Sequence, residues 1–198
     1  WRAPPPPYTD YMPLGEYEAD GYVQPYCDSP LDGEAVAESA YLNVLQHARD
    51  YVYIVTPYLI VDNEMVTALC LAAKSGVDVR ILTPGVPDKW YVYYVTQSYY
   101  PRLLEAGVRI YEYTPGFVHA KMYVSDDREA IVGSANMDYR SLFLHFECGV
   151  LLQYNSQVAA CGTMCGPPCR SAARSIFRTA APAIPGTLLD SVLRLLSR

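Results

Sequence analysis

From Asp28 onward the apolar and polar positions fall into alternating blocks of two periods. Tyr41, Leu42, Val44, Leu45 and Ala48 recur near one helical face, which predicts a helix capped by Asp32 and running to about Arg49. Tyr51 to Thr56 is a strand pattern that stops at Pro57. Asp62 caps a second predicted helix, with Met65, Ala68, Leu69 and Ala72 at i, i+3, i+4 and i+7 and Gly76 closing it. Val77 to Leu82 predicts another strand. Asp88 opens a tyrosine-rich helix ending at Gly107, with a kink or break at Pro101, and Val108 to Tyr113 predicts a third strand. Phe117 to Val124 then alternates, putting Phe117, His119, Lys121 and Tyr123 on one face and Val118, Ala120, Met122 and Val124 on the other. Asp126 to Glu129 reads as a polar turn and Ala130 to Val132 as a short strand, so this stretch predicts a hairpin.

Strands alternating with helices imply an α/β class: a layered domain with a mixed, largely parallel sheet flanked by helices. Ligands collect beyond the carboxyl ends of strands in such sheets. The loops Thr56-Pro57-Tyr58 and Thr83 to Lys89 are therefore expected to rim a site. Three segments follow from the pattern: an extended Pro/Tyr-rich linker over 1–24 with Pro4 to Pro7, the layered domain over 25–155, and an atypical tail over 156–198. Leu188 to Leu196 in that tail is amphipathic and fits packing on the domain or contact with a membrane surface. The group Trp90, Tyr91, Tyr93, Tyr94, Tyr99 and Tyr100 permits the same two readings.

Composition narrows the partners. With 51% hydrophobic and 18% charged residues, the 198-residue chain can bury a real core. A net charge of −6 argues against nucleic acid as a partner, since such binding leans on Lys and Arg. No apolar run reaches the length of a membrane-spanning helix and no secretory signal is apparent; the first residue, Trp1, suggests a processed, cut or partial chain. Cys27, Cys70 and Cys148 are scattered and read as reduced core residues of a cytosolic face. Cys161, Cys165 and Cys169 lack the close pairs and nearby histidines of a zinc site, so no metal is expected.

The candidate chemistry lies in HAKMYVSDDREAIVGSANMDYRSLFLHFE, from His119 to Glu147. His119, Lys121, Asp126, Gly133, Ser134 and Asn136 keep the spacing H-x-K-x4-D-x6-G-S-x-N. A phosphodiester repels nucleophiles and gains charge on its oxygens in the transition state, so a catalyst must supply donors and positive charge there. Lys121 offers a point charge, and Ser134 and Asn136 offer neutral donors that bind a substrate phosphate. Neutral histidine can attack phosphorus or carry a proton, which makes His119 nucleophile or acid/base. Asp126 sits in a turn, where a carboxylate commonly bonds backbone; for it the structural reading weighs as much as the catalytic one.

That spacing resembles the His-Lys-Asp motif of the phospholipase D superfamily. Asp28 to Glu34, Thr56 to Ile60, Ser75 to Arg80, Leu104 to Phe117 and Asn136 to Ser141 further resemble the carboxyl-terminal half of bacterial cardiolipin synthases. The resemblance implies a phospholipase D-like fold and catalytic His119, Lys121 and Asp126. It also implies that Glu147, like a carboxylate of single-motif endonucleases, hydrogen-bonds the histidine ring and fixes its tautomer. The activity implied is condensation of two phosphatidylglycerols to cardiolipin and glycerol through a phosphohistidine, without cofactor or metal, at the cytoplasmic face of the bacterial cell membrane.

Two departures qualify that implication. Relatives carry two motifs and amino-terminal membrane helices, whereas this sequence has one motif and no such helices. The partners expected are phosphatidylglycerol, an anionic membrane surface, and either a missing amino-terminal motif-bearing half or a second copy of the chain. The linker-like beginning favours the severed half. Two other classes share the motif: a phosphodiesterase or nuclease acting as a dimer, and an inactive binding module. Codon arithmetic adds a reading of the tail. A one-base shift turns Cys161 to Ser171 into Val-Arg-Asp-Asp-Val-Arg-Ala-Thr-Leu-Gln-Lys, which suggests a local frameshift over about 161–181 that is restored before Leu188.

Overall fold

The computed structural model describes residues 7–16, 18, 20–165 and 177–179. Pro4 to Pro6 of the polyproline run, Cys169 and the Leu188 to Leu196 end lie outside them. After a 3-10 turn at Tyr8–Tyr11, the elements are β1 (Tyr22–Asp28), α1 (Val36–His47), β2 (Tyr51–Val55), β3 (Leu59–Ile60), α2 (Asn63–Lys74), β4 (Asp78–Pro84), α3 (Trp90–Glu105) and β5 (Arg109–Tyr113). There follow β6 (Met122–Ser125), β7 (Glu129–Gly133), β8 (Met137–Asp138), α4 (Tyr139–Leu144), β9 (Glu147–Gln153), α5 (Ser156–Cys165) and β10 (Phe177–Thr179).

Eight strands form one sheet in the order β1-β9-β7-β6-β2-β4-β5-β10, and β3 pairs with β8 separately. The sheet is mixed, but less parallel than the alternation of elements suggests. Only β2–β4 and β4–β5 run parallel, joined by crossover helices. The remaining pairings in that sheet are antiparallel, because β6 and β7 form a hairpin and β9, β1 and β10 add to its edges in the opposite sense.

Alternation along the strands sorts side chains to two cores. Val52, Ile54, Ile81, Ile110, Tyr123 and Ile131 face a large cluster with Tyr41 and Val44 of α1, Met65 and Leu69 of α2, and Tyr100 and Leu103 of α3. Tyr53, Val55, Met122, Val124 and Ala130 face the other way and are closed over by Val158 of α5. Full burial of each such large apolar side chain contributes about 1.5–3 kcal/mol. Among the described residues no helix is long and apolar enough to cross a membrane.

Several local expectations are corrected by long-range contacts. The residue preceding α1 is Ala35, not Asp32. Asp32 accepts from the Glu34 N–H in a turn, while Asp28 reaches from the end of β1 to accept from Ala37 N–H at 2.7 Å. Asp88 does not cap α3 either, because its carboxylate takes the Tyr58 hydroxyl at 2.7 Å and Lys89 holds the cap position. Asp62 does cap α2, accepting from Met65 N–H at 2.8 Å. The third long helix runs through Pro101, held by the burial of Tyr99, Tyr100 and Leu103 around it.

The linker expectation also shifts, since β1 begins at Tyr22 and pairs fully with β9. In the tail, 161–165 completes α5 and 177–179 pairs with β5, so those parts of the suspected frameshift segment join the fold. Cys27 and Cys148 lie opposite one another across β1 and β9, and both are exposed rather than core residues.

Candidate active site

The register brings many chain segments to one edge of the sheet. Val55 of β2 pairs with Met122 of β6, Met122 with Val132 of β7, Gly133 with Gly149 of β9, and Asp28 of β1 with Glu147. The residues just before β6, just after β7 and at the start of β9 therefore share that edge with the carboxyl ends of β2, β4 and β5. The loops after β2 and β4 rim it: Pro57, Tyr58, Pro84, Pro87, Lys89 and Phe117 line one cleft there.

His119 and Lys121 meet at this edge, although the regular strand begins only at Met122. Lys121 Nζ lies 3.0 Å from His119 Nε2 and donates to the His119 carbonyl oxygen at 2.7 Å. A protonated Lys121 makes Nε2 the acceptor, which leaves the ring proton on Nδ1. The imidazole rests against Phe117, with ring centroids 5.6 Å apart. Burial lowers the Lys121 pKa from its ordinary value of 10.5, and the charges of Glu147 and Asp138 oppose that shift. The ammonium thus contacts His119 and feels the charges of two carboxylates.

Gly133 and Ser134 leave β7 against β9. A β-carbon on Gly133 would stand 2.5 Å from the Cys148 carbonyl oxygen, so only glycine lets the two backbones approach this closely. The next residue is held by that contact: Ser134 N–H donates to Cys148 O at 2.8 Å, and Ser134 Oγ accepts from Cys148 N–H at 2.9 Å. Ser134 Oγ also donates to the Glu147 carboxylate. Tyr41 fixes the following turn, donating its hydroxyl to Ala135 O at 2.9 Å while its ring stacks on Tyr123.

Three expected site residues have other partners. Asp126 lies at the far end of β6 from His119, with the whole strand, roughly 13 Å long at about 3.3 Å per residue, between them. Its carboxylate accepts from the N–H groups of Arg49, Asp50 and Tyr51 at 2.7, 3.0 and 2.8 Å. This turn residue, at φ 54°, pins the start of β2 to the hairpin, as the structural reading of its carboxylate expects. Asn136 is half-buried, donates to Ser141 Oγ at 3.0 Å and helps hold the Asp138 carboxylate, so it braces the start of α4. Glu147 takes Ser134 and lies 3.9 Å from His145 Nδ1, rather than orienting the His119 ring as the resemblance implied.

His145 and Arg140 join the site without having been singled out from the sequence. Arg140 Nε donates to His145 Nε2 at 2.9 Å, which leaves His145 Nδ1 facing Glu147. Their signal was available: His145 is one of three histidines in the chain and stands two residues before Glu147. Among the described residues no group of three or more His, Cys, Asp or Glu side chains is placed to hold a metal ion.

A family profile described as "Cardiolipin synthase, PLD-like domain" matches residues 41–161, which include the whole of this site. The chain belongs to the cardiolipin synthase family of phospholipase D-like proteins. A cardiolipin synthase of Geobacillus kaustophilus is 42% identical over 151 residues, covering 75% of this chain and 30% of that protein. An uncharacterized protein of Streptococcus mutans is 58% identical over 137 residues, covering 69% of this chain and 30% of its own length. The chain thus spans about 30% of the length of these curated relatives.

Solved structures agree on the fold. The phospholipase D family member Nuc of Salmonella typhimurium superposes with a TM-score of 0.64 at 18% identity, covering 80% of this chain and 97% of that one. Phosphatidylserine synthase of Haemophilus influenzae gives 0.65 at 17% identity, covering 80% and 39%. The match to the cardiolipin synthase profile ends at Cys161, where the cysteine-rich segment begins.

Proposed function

We propose that this chain supplies half of a two-histidine site that moves a phosphatidyl group from one phosphatidylglycerol to another, at the cytoplasmic face of a bacterial membrane. The observation that carries the reading is the pairing of His119 with Lys121 at an edge matched by the cardiolipin synthase profile. A second histidine for the reaction then comes from a motif-bearing half beyond this chain, which spans only about 30% of its curated relatives.

The geometry supports a sequence of proton and phosphoryl steps. An arriving phosphate draws the Lys121 ammonium to its oxygens, which frees His119 Nε2 from the 3.0 Å contact. The freed Nε2 takes up a proton from solvent, and as the partner histidine attacks phosphorus that proton passes from His119 to the departing glycerol oxygen, leaving a phosphohistidine. His119 then takes the proton of the incoming phosphatidylglycerol hydroxyl as that oxygen attacks phosphorus. Cardiolipin forms and both histidines are restored. Ser134, whose hydroxyl proton rests on Glu147, would turn that proton from the carboxylate to a phosphate oxygen arriving at this edge.

Transfer from labelled phosphatidylglycerol in mixed micelles tests the proposal, using the chain alone and with a separately supplied amino-terminal half. Cardiolipin formed only on mixing supports it. Cardiolipin from the chain alone would replace the missing half by a second copy of His119. Release of phosphatidic acid to water, with no cardiolipin, would make the site a phosphodiesterase. In the complete enzyme, His119→Ala should abolish turnover; substantial residual transfer would remove His119 from the mechanism.

A further inference from the structure

The first turns of α3 carry an outward face that the core does not use. Val95, Tyr99, Tyr100 and Leu103 bury the inner face of this helix. Trp90, Tyr91 and Tyr94 point away from it and are 71%, 50% and 55% exposed. These three rings form their own cluster: Trp90 meets Tyr91 edge-on with centroids 5.9 Å apart, and Tyr94 at 6.1 Å. Val86, also exposed, lies in the loop before them.

The position of this cluster is as informative as its composition. Helix α3 starts just beyond the carboxyl end of β4, so the rings stand at the same edge as His119. A continuous wall joins the two, because Phe117 touches the His119 ring on one side and, with Pro57, Pro84, Pro87, Val92 and Lys89, lines the cleft at the foot of α3 on the other. Cations accompany the apolar groups here. Lys89 immediately precedes Trp90, and Lys121 stands beside His119, while the acid Asp88 at the same rim accepts from the Tyr58 hydroxyl.

We infer that Trp90, Tyr91 and Tyr94 seat this edge on an anionic phospholipid surface, so that the lipid phosphate reaches His119 and Lys121 without leaving the interface. Tryptophan and tyrosine combine an apolar ring with a polar tip and settle at headgroup depth. Lysines at the same level meet the phosphates. The orientation deepens the transfer reading and rests on it: a headgroup can enter from the membrane plane along the Phe117 wall.

The chain contains two tryptophans, so Trp1→Phe leaves Trp90 as the sole reporter in the full chain. Its fluorescence is measured with vesicles of phosphatidylcholine alone and of phosphatidylcholine with phosphatidylglycerol, including lipids brominated on their chains. The expected result is a blue shift and bromine quenching on the anionic vesicles, weaker on the neutral ones. A variant with Trp90→Ala, Tyr91→Ser and Tyr94→Ser, checked for folding by circular dichroism, should partition to the anionic vesicles at least about tenfold more weakly by flotation.

Unchanged Trp90 emission on both vesicles overturns the inference, as does equal flotation of the triple variant. A blue shift produced by the amino-terminal half without lipid also overturns it and makes the face a protein contact. Vesicle binding through Trp90 with no phosphatidyl transfer supports this inference while defeating the proposed reaction. Transfer without a Trp90 shift does the reverse.

Discussion

Lys121 Nζ stands 3.0 Å from His119 Nε2, so the cation that would bind a phosphate is the same group that occupies the histidine lone pair at rest. In the proposed transfer this contact would couple two steps: substrate binding would withdraw the lysine, and that withdrawal would uncover Nε2. The shared edge of β6 and β7 makes the arrangement rigid, with Gly133 N–H donating to Lys121 O at 3.3 Å.

The charge of Lys121 sets an alkaline limit. Burial lowers its pKa from 10.5, so its proton is lost at a lower pH than an ordinary lysine would lose one. In a complete enzyme the alkaline limb of kcat/KM should therefore fall below the usual lysine range. Lys121→Arg, whose guanidinium stays charged throughout, should move that limb upward while lowering the maximum rate, because a planar fork does not replace a point charge. A pH-rate profile of both enzymes checks this, and identical alkaline limbs would show that another group governs the limit.

Asp126 should matter to stability rather than to chemistry. Asp126→Ala deprives three backbone N–H groups of a charged acceptor, at a cost of about 2 kcal/mol after solvent takes up part of the loss. Chemical denaturation should record that loss. Asp126→Asn, which tolerates the left-handed backbone, should lose less. In folded Asp126→Asn, transfer should stay within about threefold of the parent; abolition of transfer in a folded variant would return Asp126 to the reacting groups.

Glu38 gives the domain a pH dependence of its own. Its pKa is pushed up to about 8 by burial, by a hydrogen bond with Asp62, and by the charges of Asp62, Glu64 and Asp28. Between the ordinary 4.5 and about 8, the folded state holds a proton that the unfolded state has released. Stability must then fall as pH rises through that window. Glu38→Gln should flatten the fall and raise Tm at pH 8, measured by thermal denaturation at fixed ionic strength. A parent Tm that climbs across the same window would contradict the assignment.

Much of this protein is written locally. The helix over Asn63–Lys74 follows from Asp62, the apolar period and Gly76, because a cap, a face and a left-handed stop act within one helix length. His119 and Lys121 come together because they are two residues apart in extended chain, and Ser134 joins them because a short hairpin returns the chain to the same edge. What the sequence could not assign is which polar group each carboxylate would meet. Asp28, rather than Asp32, caps α1 because it stands at the end of a strand placed beside that helix by pairing with β9. Asp126 finds its N–H partners some 75 residues earlier in the chain, where β2 lies against β6. Glu147 meets Ser134 and faces His145 for the same reason. Local periodicity depends on neighbours in sequence and survives in any context, whereas a carboxylate's partner is chosen by strand register, which exists only once the sheet has formed.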